Sequence, residues 1–353
     1  MCHTTHVTQG SIPAKAGLLA VTVALLLGMT TQDSRAQEGA DDLEVVVVSG
    51  RQPGPPLWKV TQGDHTLWIL PLVSVVPRDM DWNDGRVASL IAASDEVIDP
   101  PGVSLGVSKQ LLLNPLNWIR GPRLYKRLSQ SPGGTTLREV LPPDLWERYA
   151  ALKQRYFPRD TDIEALRPSF AISAMNTVIL EAEELTGAGE IEHHVEKLIH
   201  HQHSLRRTPV EIEEKMQGSY GELSARMQTL IDSLPQGDEL ACFDTQLELY
   251  ERHLDDMKRV ANAWATGNAR DIESYSRLGE MDDPCTRLLL ASSEGGYMEK
   301  LIDQSSRRWL DAADTALAHN RTTFAMLPMA RIAGARSLID ELATRGHAIH
   351  APQ

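Results

Sequence analysis

Cysteine is scarce in this 353-residue chain, which has only Cys2, Cys242 and Cys285. That excludes a disulfide-dense miniprotein and leaves too few thiols for a zinc ribbon, a redox CxxC pair or an iron–sulfur cluster. Positive charge is short as well: 35 Lys and Arg stand against 48 Asp and Glu, a net charge of −13. A phosphate-tracking surface needs a local excess of basic residues, and no run of them occurs, so nucleic acid is not an expected partner. Long apolar runs are missing too. The longest, Ala16 to Met29, falls short of the roughly twenty residues that a bilayer crossing needs, so the chain is not expected to span a membrane. No GxSxG elbow, Walker loop, HExxH, EF-hand loop or GxGxxG occurs, and no repeat array is visible.

What is present is ordinary for a globular protein: 42% apolar and 24% charged residues, enough for one large domain or two smaller ones. Residues 1–36 read as a cleavable export signal. Lys15 precedes the uncharged stretch, and Ser34-Arg35-Ala36 places small residues at the −3 and −1 positions of a cleavage site. A buried N-terminal helix is the competing reading. The mature chain is expected to be periplasmic or secreted. There Cys242 and Cys285 would form one disulfide, closing a loop worth about 4 kcal/mol on the chain-entropy model; two separate buried thiols are the alternative. Residues 37–56 form an acidic and then Pro/Gly-rich linker. Within it, Val45-Val46-Val47-Val48 is a strong strand former. It resembles a TonB box, the short N-terminal segment of energised outer-membrane receptors, although an edge strand or linker is the plainer reading.

The folded part, 57–353, starts as a hairpin: Leu57-Trp58-Lys59-Val60, a turn at Gly63-Asp64, then Leu67-Trp68-Ile69-Leu70. A helix over 83–94 and a strand over 96–99 follow, and strand–helix–strand argues for a parallel sheet. Helices are predicted over 116–130, 142–156, 163–186, 189–203 and 220–234, with one strand at 209–212. A single long helix over 239–266 is predicted from a heptad seam that includes Phe243, Leu247, Tyr250, Leu254, Ala261 and Trp264. A helix over 297–319, a strand over 322–327, a helix over 333–345 and a last strand from Ala348 complete the chain. The expected fold is α/β: a small central sheet built from both ends, with a large helical insertion at about 116–320.

The histidine-rich stretch 192–203 puts His193, Glu196 and His200 at i, i+3 and i+7, reasonable spacing for metal ligands on a helix. With Lys197, Gln202, Arg206 and Arg207 nearby, an ordinary solvated face is the preferred reading, and no metal or cofactor is expected. Glu181, Glu183 and Glu184 read the same way.

The two ends resemble the TraB/PrgY/GumN family, which also takes in the Tiki-type metalloproteases. Leu57-Trp58-Lys59-Val60, Gly63-Asp64, Leu67-Trp68-Ile69-Leu70, Pro77 to Trp82 and Ser94-Asp95 match its opening. Thr323-Phe324, Leu342 and Arg345-Gly346 match its close, and Trp264-Ala265-Thr266-Gly267-Asn268 is the best match in the middle. The resemblance implies an α/β fold and a metal site at two Gly-x-x-His motifs. At those two places this chain has Pro71-Leu72-Val73-Ser74 and Pro328-Met329-Ala330-Arg331. The family's Arg-Asn pair falls at Ser305-Ser306. Neither Pro nor Arg has a lone pair for a metal, and a Ser hydroxyl is a poor substitute for imidazole.

The resemblance therefore points to a degenerate, non-catalytic binding or scaffold protein of the cell envelope. Ser74 and Arg331, with Pro71 and Pro328, would line a ligand pocket at the sheet's C-terminal edge and hold a carboxylate or phosphate. The expected partner is thus a small anionic ligand or an envelope protein. The alternative is a metal-dependent hydrolase or peptidase with a relocated site that recruits the histidine-rich helix.

Overall fold

Trp58–Gln62 (β1) and His65–Leu72 (β2) alternate and then concentrate apolar residues, and they pair antiparallel around a two-residue turn. Gly63 makes the turn possible, since its φ of 57° is one that side-chain-bearing residues rarely adopt. This is a computed structural model. It describes residues 53–352 other than 188, 203, 270, 271, 273–283, 292–295 and 335. The leader, most of the linker, the Val45–Val48 segment and His203 lie outside the described residues.

The remaining strands are Val75–Pro77 (β3), Glu96–Ile98 (β4), Val103–Val107 (β5), Leu185–Gly187 (β6), Arg206–Thr208 (β7), Ile212–Met216 (β8), Thr322–Pro328 (β9) and Ala348–His350 (β10). Six of them form one mixed sheet in the order β10-β1-β2-β9-β4-β7. β1 runs antiparallel to β10 and β2, whereas β2, β9, β4 and β7 are mutually parallel. The strand–helix–strand unit at the start is parallel as expected, but its two strands are not neighbours. The C-terminal β9 lies between them, so the two ends of the chain interlock. Thr323 to Leu327 of β9 are all buried, as befits a parallel strand covered on both faces. Helix Gly85–Ala92, helix Gly189–His200 and helix Tyr297–His319 pack their apolar stripes into the same core as the sheet.

A second core lies among helices Pro143–Tyr156, Pro168–Ala182 and Gln236–Arg252, around Tyr149, Met175, Phe243 and Tyr250. Cys242 and Cys285 are disulfide-bonded and join helix Gln236–Arg252 to helix Pro284–Ala291. No helix among the described residues is long and apolar enough to cross a membrane.

Four expectations need correction. The long helix 239–266 is two, Gln236–Arg252 and Leu254–Thr266, broken at His253, whose Nδ1 bonds Asp256 Oδ2 at 2.7 Å across the new N-terminus. The apolar seam changes cores beyond the break: Phe243 to Leu254 enter the second core, while Ala261 and Trp264 enter the first. The strand at 209–212 is instead the pair β7 and β8, because Pro209 has no N–H for a ladder and separates them. β7 also means that the insertion supplies one edge of the main sheet, so the sheet is not drawn from the chain ends alone. Helix 163–186 begins only at Pro168, a residue suited to a first helical turn. It stops before Glu184, whose φ of 56° turns the chain into β6. The helix expected over 333–345 is confined to Leu338–Thr344, capped by Ser337 Oγ accepting from the Asp340 N–H at 3.1 Å.

Candidate functional site

Parallel strands direct their C-terminal ends to one edge, and in open α/β sheets that edge is where ligands bind. Here it is formed by the ends of β2, β9, β4 and β7, with Leu72 registered against Pro328 and Ile98 against Ala325 and Thr208. The sequence-predicted residues fall here. Pro71 is buried within β2, one register step from Pro328. Ser74 is exposed in the link from β2 to β3. Arg331 is half-buried and ends a 3-10 turn, Met329–Arg331, that follows β9 directly. The two leave neighbouring strands at the same edge, but no hydrogen bond joins them among the described residues.

Arg331 is not paired in the way a plugging residue would be. No carboxylate lies within ion-pair distance of it among the described residues. Burial holds its guanidinium below the ordinary arginine range, Arg336 adds repulsion, and Asp303 offsets this in part. Pro71 has a different fate. Its carbonyl accepts a 2.7 Å hydrogen bond from the indole N–H of Trp264, which is fully buried. Trp264 in turn meets Trp82 edge-on at 5.0 Å, and Trp82 lies 5.0 Å from the His194 ring. His194 Nε2 bonds Asp84 Oδ2 at 2.7 Å. At the β2 corner, an aromatic stack occupies the space beside the first degenerate motif.

At the other corner, a cleft of about 520 Å³ opens beyond β4, β7 and β9, lined by Asp99, Glu192, His193, Glu196, Arg207 and Pro328 among others. Its one arginine is already engaged by two carboxylates. Arg207 Nε donates to both Asp99 oxygens at 2.8 and 2.9 Å, and its Nη1 donates to Glu196 at 2.7 Å. Burial pushes the Asp99 carboxyl up despite Arg207, and burial with Glu211 nearby does the same for Glu192. Ser305 ties the loops behind this cleft together: its hydroxyl accepts from the Gly102 N–H at 2.8 Å and donates to the Val210 carbonyl at 3.3 Å. Ser306 bonds only its own helix, at the Ile302 carbonyl.

The residues present do not fit a divalent metal. Ser74 and Arg331 stand where the resemblance implies histidines, and neither side chain is a good metal ligand; Glu196, the carboxylate of the histidine-rich helix, is engaged by Arg207. Among the described residues no group of three or more His, Cys, Asp or Glu is placed to hold a metal ion. Of the acidic residues read as a solvated face, Glu183 is partly buried and binds Lys258 at 2.7 Å and the Tyr156 hydroxyl at 2.7 Å.

Sequence reasoning missed Arg207, Trp82 and the polar cluster at the opposite end of the strands. In that cluster, buried Glu96 accepts from Arg206 at 2.7 Å, from Asn320 at 2.5 Å and from the Thr208 hydroxyl. Asp95 Oδ2 accepts from the Arg321 and Thr322 N–H groups and so positions the start of β9. Asp95 of the Ser94-Asp95 match thus has a structural task at the start of β9. The only sequence signal for Arg207 was the pair Arg206-Arg207 ahead of a proline.

A family model described as the TraB/PrgY/gumN family matches residues 56–351, and this chain belongs to that family. No curated protein and no solved structure matches the chain.

Proposed function

We propose that this protein is an exported, non-catalytic member of its family, acting in the cell envelope as a binding protein for a small anionic ligand. One observation carries the reading: where the resemblance calls for metal-binding histidines, the chain presents an exposed hydroxyl, Ser74, and a half-buried guanidinium, Arg331, with no carboxylate partner among the described residues. A guanidinium left short of acceptors at a ligand-binding edge suits a carboxylate or phosphate group, which it can grip with two parallel hydrogen bonds. The leader over residues 1–36 and the Cys242–Cys285 bond support export to an oxidising compartment. The competing reading, a metal-dependent hydrolase relocated to His193, Glu196 and His200, requires a carboxylate that Arg207 already holds.

Titration calorimetry with inorganic phosphate and with a set of di- and tricarboxylates tests the proposal. The parent should bind at least one of these anions, and Arg331→Glu should lose that binding with its melting temperature little changed. Equal binding by the two proteins would overturn it.

A further inference from the structure

The most exposed apolar surface of the described residues uses none of the cleft residues. It begins on β5, whose Leu105 is exposed, and continues through helix Lys109–Leu113 into helix Pro115–Ser129. Leu113, Trp118 and Ile119 are 80%, 75% and 57% exposed, and Leu116 and Tyr125 are exposed beside them. Scattered apolar residues on a surface need no explanation, but several large ones on one short arm mark a contact surface.

The charge of the arm sets it apart from the rest of the molecule. From Pro100 to Arg138, between Asp99 and Glu139, there is no Asp or Glu, while Lys109, Arg120, Arg123, Lys126, Arg127 and Arg138 carry six positive charges. With a whole-chain net charge of −13, the rest of the molecule stands at −19. In helix Pro115–Ser129 the large apolar groups dominate the first turns, and the cations follow at positions 120, 123, 126 and 127. The C-terminal end is anchored: Leu128 and Ser129 are buried, and the Tyr125 ring packs on Phe170 with centroids 5.9 Å apart. The Tyr220 hydroxyl donates to the Arg120 carbonyl at 2.7 Å. Helix Pro115–Ser129 thus holds its apolar end outward from a fixed base.

We propose that this arm is a docking surface for an anionic phospholipid bilayer. Leu113, Leu116, Trp118 and Ile119 enter the interface, and Arg120, Arg123, Lys126 and Arg127 lie at the level of the phosphates. Projecting apolar side chains, an interfacial Trp and Tyr, and basic residues directly behind them are the features by which a helix lies on a membrane. Charge complementarity selects this occupant. A second copy docking face to face would set like charges against each other. A protein partner would need pockets to take side chains that stand this far out, whereas a bilayer needs none. The −19 remainder would hold the rest of the molecule off an anionic surface and so orient it with the arm downward. Being a docking surface and not a span, the arm accords with the absence, among the described residues, of a helix able to cross a membrane.

The test is vesicle flotation of the chain expressed in full, its N-terminus established by mass. Vesicles are phosphatidylcholine alone or with about a quarter phosphatidylglycerol. Two variants in the same background, Arg123→Gln/Lys126→Gln/Arg127→Gln and Leu116→Ser/Trp118→Ser/Ile119→Ser, alter only exposed side chains, so whatever residues 1–49 contribute is common to all. The parent should float with the anionic vesicles and far less with the neutral ones. Each variant should lose about tenfold or more of that partitioning with an unchanged melting temperature, and high salt should weaken the parent. Equal flotation on both vesicle types would overturn the proposal, as would variants that float like the parent. A parent that ignores vesicles but forms a dimer, or a complex with an acidic protein, that the Leu116→Ser/Trp118→Ser/Ile119→Ser variant dissolves would overturn it in favour of a protein occupant.

Discussion

The C-terminal edge of the parallel strands and the arm formed by residues 105–127 are organised in opposite ways. At the edge, where the fold places ligands, most polar chemistry is satisfied internally. Arg207 is held by Asp99 and Glu196, Ser305 stitches two loops, and Trp264 caps the Pro71 carbonyl. Arg331 is the exception, half-buried and without an ion pair among the described residues. On the arm, large apolar and basic side chains stand in solvent, and the acidic residues beside it belong to the neighbouring strand β8, where Glu213 and Glu214 pair with Ser104 and Leu105. A fold sets where a ligand edge lies, but the side chains placed there and on the surface elsewhere decide what each region can contact.

The largest effect that would sharpen this contrast belongs to Trp264. Trp264→Ala removes a fully buried side chain, opens a cavity at the β2 corner and leaves the Pro71 carbonyl unbonded. It should cost about 3–5 kcal/mol in chemical denaturation, and a cost under about 1 kcal/mol would mean that the corner is not packed as described.

Next comes acid sensitivity at the opposite end of the strands. Burial opposes the Glu96 charge, but the hydrogen bonds from Arg206, Thr208 and Asn320 outweigh it and hold the carboxyl below the usual glutamate range. A carboxylate with a depressed folded-state pKa stabilises the fold fully above its unfolded value of about 4.3, and that contribution is lost as pH falls through the folded value. Melting curves from neutral pH down to about 3 should therefore show a loss of stability below about pH 4.3 that is smaller in Glu96→Gln. Identical pH profiles would remove Glu96 from the account.

A smaller effect of opposite sign is expected at Arg331. Because its charge is half-buried without a carboxylate, Arg331→Met should leave stability unchanged or raise it by up to about 1 kcal/mol. A loss of more than about 1.5 kcal/mol would show a structural partner and erase the contrast between this residue and Arg207. The smallest effect is on the arm, where Trp118→Ser should alter global stability by no more than about 0.5 kcal/mol, since the indole contributes little buried area.

How much of this was legible in the sequence follows from the physics of each part. Continuous apolar runs with turn residues between them made β1, β2, β9 and helix Tyr297–His319 readable almost to the residue, and the cysteine count anticipated the Cys242–Cys285 bond. β7 was not readable: three residues, two of them arginine, pass for a loop until β4 supplies the ladder. The division at His253 left no mark, because the apolar spacing runs unbroken across it and Leu254 stays in the same core as Tyr250. Trp264 read as one more position of that seam, and its bond to Pro71, 193 residues distant in sequence, depends on the assembled fold. The arm escaped notice because its cations are scattered from Lys109 to Arg138 instead of forming a run, and the whole-chain charge of −13 averaged them away. At the candidate site the sequence showed Ser74 and Arg331 where the resemblance implies histidines, but not the bond from Trp264 to Pro71 or the Arg207 cluster beside them.

The most direct test of the central claim, that the family's metal chemistry has been replaced at this edge, is elemental analysis of the protein purified without a histidine tag, with an EDTA-washed control. The account predicts less than about a tenth of an equivalent of any divalent transition metal, since ligand identity and number set occupancy. Close to one equivalent, lost on His193→Ala or His200→Ala, would contradict it and establish a relocated metal site.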